Sequence, residues 1–219
     1  MRQSLRFLGG WGIATVLVLA CGTFTNWPLS AVFYGYAFIA VVLLWVNRKL
    51  LLQDIGLAKL YLLALPTLAV VATTLPSQWD EFTNWLPNQR FLEEFDHFPR
   101  VDLPPSVSVF PAYPFGLPLV GYFSGKVAGI FAESAGALFN TLLIGALAAL
   151  CIQQIRLARG DSNEAPFLWT ECSIGLLAAT VLNPTFVPKL VFTTYVDFAT
   201  AVVAAGMAWA VWQIGRAHV

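Results

Sequence analysis

Residues 134–152 read SAGALFNTLLIGALAALCI, without a single charge. A helix rises about 1.5 Å per residue and the hydrocarbon core of a bilayer is about 30 Å thick, so roughly 20 mostly apolar residues suffice to cross it. This stretch meets that demand, and five other runs share its character: residues 7–22, 31–46, 60–75, 167–182 and 198–213. The first two are short and recruit flanking residues. Lipid offers backbone groups no hydrogen-bond partners, so such runs must be helices. The chain has 219 residues, 58% hydrophobic and only 11% charged, against about 25% charged in a soluble domain. The expected fold is an all-α polytopic membrane protein. It has about six transmembrane helices in a single domain over residues 1–213, with interfacial helices in a long outer loop, 77–133.

The formal net charge is zero and no basic cluster is present, which leaves no surface for nucleic acid. Cys21, Cys151 and Cys172 sit in apolar runs without metal or redox spacing, and read as small packing residues. Arg2 and Arg6 ahead of the first run, with VLAC at 18–21, also have the outline of a signal peptide ending in a lipid-modified cysteine. The spans that follow, and Leu19, favour a retained first helix.

Lys and Arg set the orientation. With the N-terminus in the cytoplasm, Arg2, Arg6, Arg48, Lys49, Lys59, Arg156 and Arg159 lie inside. Arg90, Arg100, Lys126 and Lys189 fall outside, over longer segments, together with most of the acids. Residues 117–131 must then not cross. They hold Pro118 and Lys126, and a lysine in mid-span would cost about 2.5–3.5 kcal/mol. They read as an interfacial helix.

The loop after Pro76 is the one long polar segment, and loops of this length are usually functional. Within it Phe91, Leu92, Phe95 and Phe98 follow helical spacing, with Glu93, Glu94 and Asp96 opposite, as in a helix lying at headgroup depth. Trp79 and Trp85 read as interface belt residues. Between them stand Asp80 and Glu81, adjacent acids pointing roughly 100° apart on a helix and so facing different partners. Asp197 opens the last span at the same face, with Tyr195 and Lys189 close by in sequence. Two acids from distant parts of the chain at one membrane face form a candidate site, and Lys189 or Arg90 supplies positive charge. Each residue also has a plain role: helix capping for the acids, snorkelling for the cations. Glu171, the charge deepest within a run, reads as packed near the cytoplasmic end, with Asn140 a polar companion.

Trp79-Asp80-Glu81-Phe82 with Trp85, then DHFP at 96–99, YPFGLPL at 113–119 and YVD at 195–197 resemble, in order and placement, the GT-C superfamily of membrane glycosyltransferases. The similar members are the protein mannosyltransferase and aminoarabinose transferase group. The likeness covers roughly residues 60–213. Phe115 stands where the family usually has a second proline, and extra spans precede the acidic loop.

The resemblance implies transfer of a sugar from a polyprenyl-phosphate donor to an acceptor on the extracytoplasmic face of a bacterial plasma membrane. Asp80 would be the catalytic base, with Glu81 beside it. Arg90, Tyr113, Lys189, Tyr195 and Asp197 would bind substrate, the cations facing the phosphate. Asp80, Glu81 and Asp197 are possible ligands for a divalent Mg or Mn ion. Family members are longer, and residues 214–219, IGRAHV, look like translated adapter sequence, so a truncated fragment with a non-native tail is expected. The rival functions are a multi-span transporter, which would bind substrate near the midplane, and a non-enzymatic membrane protein.

Overall fold

The computed structural model describes residues 2–48, 56–161, 165–183 and 186–216. Lys49 of the orientation argument and residues 217–219 of the tail lie outside them. The described residues are helical, with no strand among them. In chain order come α1 (Arg2–Phe24), α2 (Leu29–Val46) and α3 (Gly56–Thr73). A π-helical turn (Glu81–Trp85) then runs into α4 (Leu86–Phe95). The rest are α5 (Gly116–Ala128), α6 (Ala135–Arg159), α7 (Trp169–Ala179), the short α8 (Pro188–Val191) and α9 (Val196–Arg216).

Five of the helices, α1, α2, α3, α6 and α9, are long and apolar enough to cross a membrane. Residues 167–182 form something shorter than the expected span. There α7 has 11 residues, about 16 Å of helix. Its start is pinned where Glu171 accepts from Arg156 of α6, at 2.8 Å (Nε) and 2.6 Å (Nη2). Arg156 also donates to the carbonyls of Ala165 and Pro166. The helix ends at Thr180, three residues before an Asn183-Pro184 pair that disfavours helical backbone. Residues 117–131 hold α5, whose 13 residues are likewise short for a crossing.

Burial singles out α6 as the axis: 72% of its apolar window is buried, against 11–22% for the other four. Small residues make this possible, because in lipid close backbone approach replaces the hydrophobic drive. At Gly145 an added Cβ would lie 2.7 Å from the Tyr61 ring of α3. One apolar cluster joins α3, α6 and α7 through Leu60, Ile144 and Cys172. A second joins α1, α6 and α9 through Leu8, Leu143 and Val202. A third sits under the long loop, where Val18, Leu29, Leu92, Phe98, Leu119 and Tyr122 meet.

That third cluster corrects the reading of the loop. Phe91, Leu92 and Phe98 are buried against protein, and Trp85 is only 4% exposed. An apolar stripe requires an apolar partner, and here α1, α2 and α5 supply it in place of lipid. Asp96 is not on a solvated face either. It ends α4 in the left-handed region, at φ 55°, a conformation that Asp tolerates better than most residues. Its carboxylate accepts from the Ser30 N–H at 2.9 Å, the Ser30 hydroxyl and the Tyr122 hydroxyl, with Lys126 Nζ at 4.0 Å. Asp96 therefore ties the start of α2 to α5.

Candidate functional site

The site begins where α3 gives way to the π-helical turn. Glu81, 2% exposed, folds its carboxylate back over the start of that turn. Oε2 accepts the backbone N–H groups of Ser77 (2.9 Å) and Gln78 (3.0 Å). Free N–H groups at a helix start favour an anion there. Oε1 accepts the N–H of Thr194 at 2.8 Å, from 113 residues further along the chain.

The segment that carries Thr194 is gripped from its other side by α6. Asn140, fully buried, donates Nδ2 to the carbonyls of Thr193 and Tyr195, both at 2.8 Å. One turn earlier is Gly136, and the Thr194 side chain occupies the space a Cβ would need. Residues 193–195 are thus clamped between Glu81 and Asn140 just before α9 begins.

The clamp presents Tyr195 to Asp80. Burial, then the hydrogen bond to Asp80 and the charges of Asp80 and Glu81, hold the Tyr195 phenol above its ordinary value. Against the clamp opens a cleft of about 410 Å³, lined among others by Gln78, Glu81, Glu133, Ser134, Lys189 and Thr193; Asp80 and Tyr195 are not in its lining. It places two carboxylates and one ammonium around a space large enough for a small polar group.

The residues expected from sequence divide accordingly. Asp80 and Tyr195 meet, and Lys189 shares the cleft with Glu81. The two neighbouring acids do have different partners. Glu81, expected as catalytic, has its oxygens bonded by three N–H groups, which tie the start of the turn to residue 194. Asp197 is exposed in the first turn of α9. Of the expected substrate ligands only Lys189 lines the cleft; Arg90, Tyr113, Tyr195 and Asp197 do not, and neither does Asp80. The guanidinium of Arg90 lies 5.0 Å over the Phe131 ring, and Tyr113 stacks on Trp85 and Phe110, with ring centroids 5.4 Å and 4.7 Å apart. Among the described residues no three His, Cys, Asp or Glu side chains gather as metal ligands. Asp80, Glu81 and Asp197 in particular do not fit that task.

Asn140, Gly136, Thr194 and Glu133 were not legible as site residues. The one usable signal was Asn140, an amide inside an apolar run: such a group needs partners, and in a span it marks a place where the fold or the function depends on it. Comparison with protein families, with characterised proteins and with solved structures returns no match.

Proposed function

We propose that this chain is a GT-C-type membrane glycosyltransferase. It moves a sugar from a polyprenyl-phosphate donor to an acceptor at the membrane face that carries the long loop, read as the extracytoplasmic side of a bacterial plasma membrane. The observation that carries the reading is the clamp of residues 193–195 between Glu81 and Asn140, on the wall of a cleft lined by Glu81, Thr193 and Lys189; Asp80, next to Glu81 in the chain and near the Tyr195 phenol, is the carboxylate assigned to the chemistry. A carboxylate so placed is fit to accept a proton from an acceptor hydroxyl. As that oxygen bonds to the anomeric carbon, the bond from carbon to phosphate oxygen breaks. The departing phosphate then carries its charge toward Lys189. An apolar groove of about 400 Å³ among α1, α5 and α9, with Val196 on its wall next to Tyr195, suits a prenyl tail. No step is assigned to a divalent metal, because the three expected carboxylates do not converge.

The test is transfer of radiolabelled sugar from polyprenyl-phosphate donors by the purified protein in liposomes. Asp80→Asn should lower the rate by about 10²–10⁴-fold, the usual contribution of a positioned base. An unchanged rate would remove Asp80 from the chemistry. Solute flux across the liposomes without transfer would favour the transporter.

A further inference from the structure

From Leu103 to Gly125 the chain carries no charged residue, yet much of the part ahead of α5 faces outward. Val107 is 83% exposed, and Val109, Phe110 and Tyr113 are also exposed. The segment lies along the π-helical turn and the start of α4: the Val109 N–H donates to Thr83 O at 2.9 Å, and Asn88 Nδ2 to Phe110 O at 3.4 Å. That turn adds exposed Phe82 and Trp79, the latter one turn back, where its carbonyl accepts from the Thr83 hydroxyl. The result is one continuous apolar and aromatic face on a loop. In water such a face is unfavourable by about 25 cal/mol for each Å². Faces of this kind mark docking to protein or to membrane.

One observation chooses between those partners, and the backbone sets the depth. The face continues the lipid-facing surface of α3, since Leu75, just past its end, is 79% exposed and leads directly to Trp79. Within residues 107–113 the N–H groups of Ser108, Phe110 and Tyr113 find partners in Ser106 Oγ, Ser108 Oγ and Phe110 O, Val109 has Thr83 O, and Pro111 has no N–H. The N–H groups of Val107 and Ala112 find no partner among the described residues, so the segment needs the water of the headgroup region and suits the interface rather than the acyl core. We infer that residues 107–113, with Trp79 and Phe82, seat as a wedge in the acyl–headgroup boundary of the bilayer. The wedge replaces the amphipathic α4, which faces protein, as the loop's anchor. It is independent of the transfer chemistry, although it fixes the depth of Asp80, next to Trp79.

The experiment places a nitroxide at Val107→Cys or Val109→Cys in the full chain reconstituted into phosphatidylethanolamine–phosphatidylglycerol vesicles. The unsubstituted protein, labelled in parallel, is the blank for its own cysteines. Asp102→Cys is the water-facing control; Asp102 pairs with Arg100 at the surface, at 2.8 Å. At 107 and 109 oxygen collisions should exceed nickel-chelate collisions, with a depth of about 5–10 Å below the headgroups. At 102 the ratio should reverse. Chelate access at 107 and 109 equal to that at 102 would put the face in water and overturn the inference. Shielding from both reagents would show a protein surface over the face, and would overturn it as well.

Discussion

Glu81→Gln keeps the shape of the side chain and changes only its hydrogen-bond chemistry, so it tests the clamp directly. The carboxylate accepts three N–H bonds, two on Oε2 and one on Oε1. The amide has one acceptor oxygen. If it stays with Ser77 and Gln78, the NH₂ group faces the Thr194 N–H, donor against donor. Hydrogen bonds to a charged group are worth about 1.5–3 kcal/mol each and neutral ones about 0.5–1.5. Losing one charged bond and weakening two therefore sums to about 3.5–6 kcal/mol. Relief from burying a carboxylate that is 2% exposed offsets part of this. The expected net loss is about 2–4 kcal/mol, or roughly 30- to 900-fold in the folding equilibrium. The assay is unfolding of the reconstituted protein by titration with a denaturing detergent, paired with hydrogen exchange at the Thr194 amide, which should accelerate. Because Asn140 holds Thr193 and Tyr195 on either side of Thr194, the combination with Asn140→Asp should lose less than the sum of the two single losses. A loss below about 0.5 kcal/mol, within the range of ordinary surface substitutions, with Thr194 exchange unchanged, would refute the clamp.

Gly136→Ala should destabilise by about 1–3 kcal/mol, as overpacking does, and Thr194→Ala in the same chain should restore much of the loss; an undisturbed Gly136→Ala would mean the segment 193–195 can move away from α6 freely. The phenol of Tyr195 is held above its ordinary value, so the folded chain keeps its proton longer than the unfolded one. The stability this contributes is complete below the unfolded value, near 10, and is lost as pH climbs through the folded value. Asp80→Asn should lower the Tyr195 titration seen by ultraviolet difference spectra, and no movement would separate the two groups. Burial chiefly raises the carboxyl of Glu93, against opposing effects from Gln89, Lys126 and Arg90. Its contribution is likewise complete below the unfolded value, near 4.3, and fades as pH rises through the folded one; Glu93→Gln should flatten that part of the stability profile.

The spans were legible because their information is compositional. A long uncharged run such as residues 134–152 has few alternatives to a helix, whatever surrounds it. The loop was not legible in the same way. Leu92 and Phe98 follow a stripe that lipid or protein could equally cover, and periodicity does not name the partner. The shortfall at residues 167–182 has a related cause: whether an apolar run becomes a full crossing depends on where its ends are fixed, and Arg156 fixes one of them from another helix. Asp80 and Glu81 could be told apart only in their directions. Which of the two is consumed by backbone N–H groups is decided by Thr194, 113 residues away, and no local pattern reaches that far.

The two acids illustrate why adjacent carboxylates need not duplicate each other. A buried carboxylate is tolerable only when its oxygens are bonded, and Glu81 meets that condition through the N–H groups of Ser77, Gln78 and Thr194. Asp80 is half buried, and its partner is a phenol that can rotate or yield. On the proposed function, stability and reactivity are divided between neighbouring residues: Glu81 fixes the segment 193–195, and the base is assigned to Asp80. Reading the pair as a joint catalytic dyad would predict similar losses of activity from Glu81→Gln and Asp80→Asn with little change in stability. The clamp predicts instead that Glu81→Gln loses stability and Thr194 protection, while Asp80→Asn loses neither.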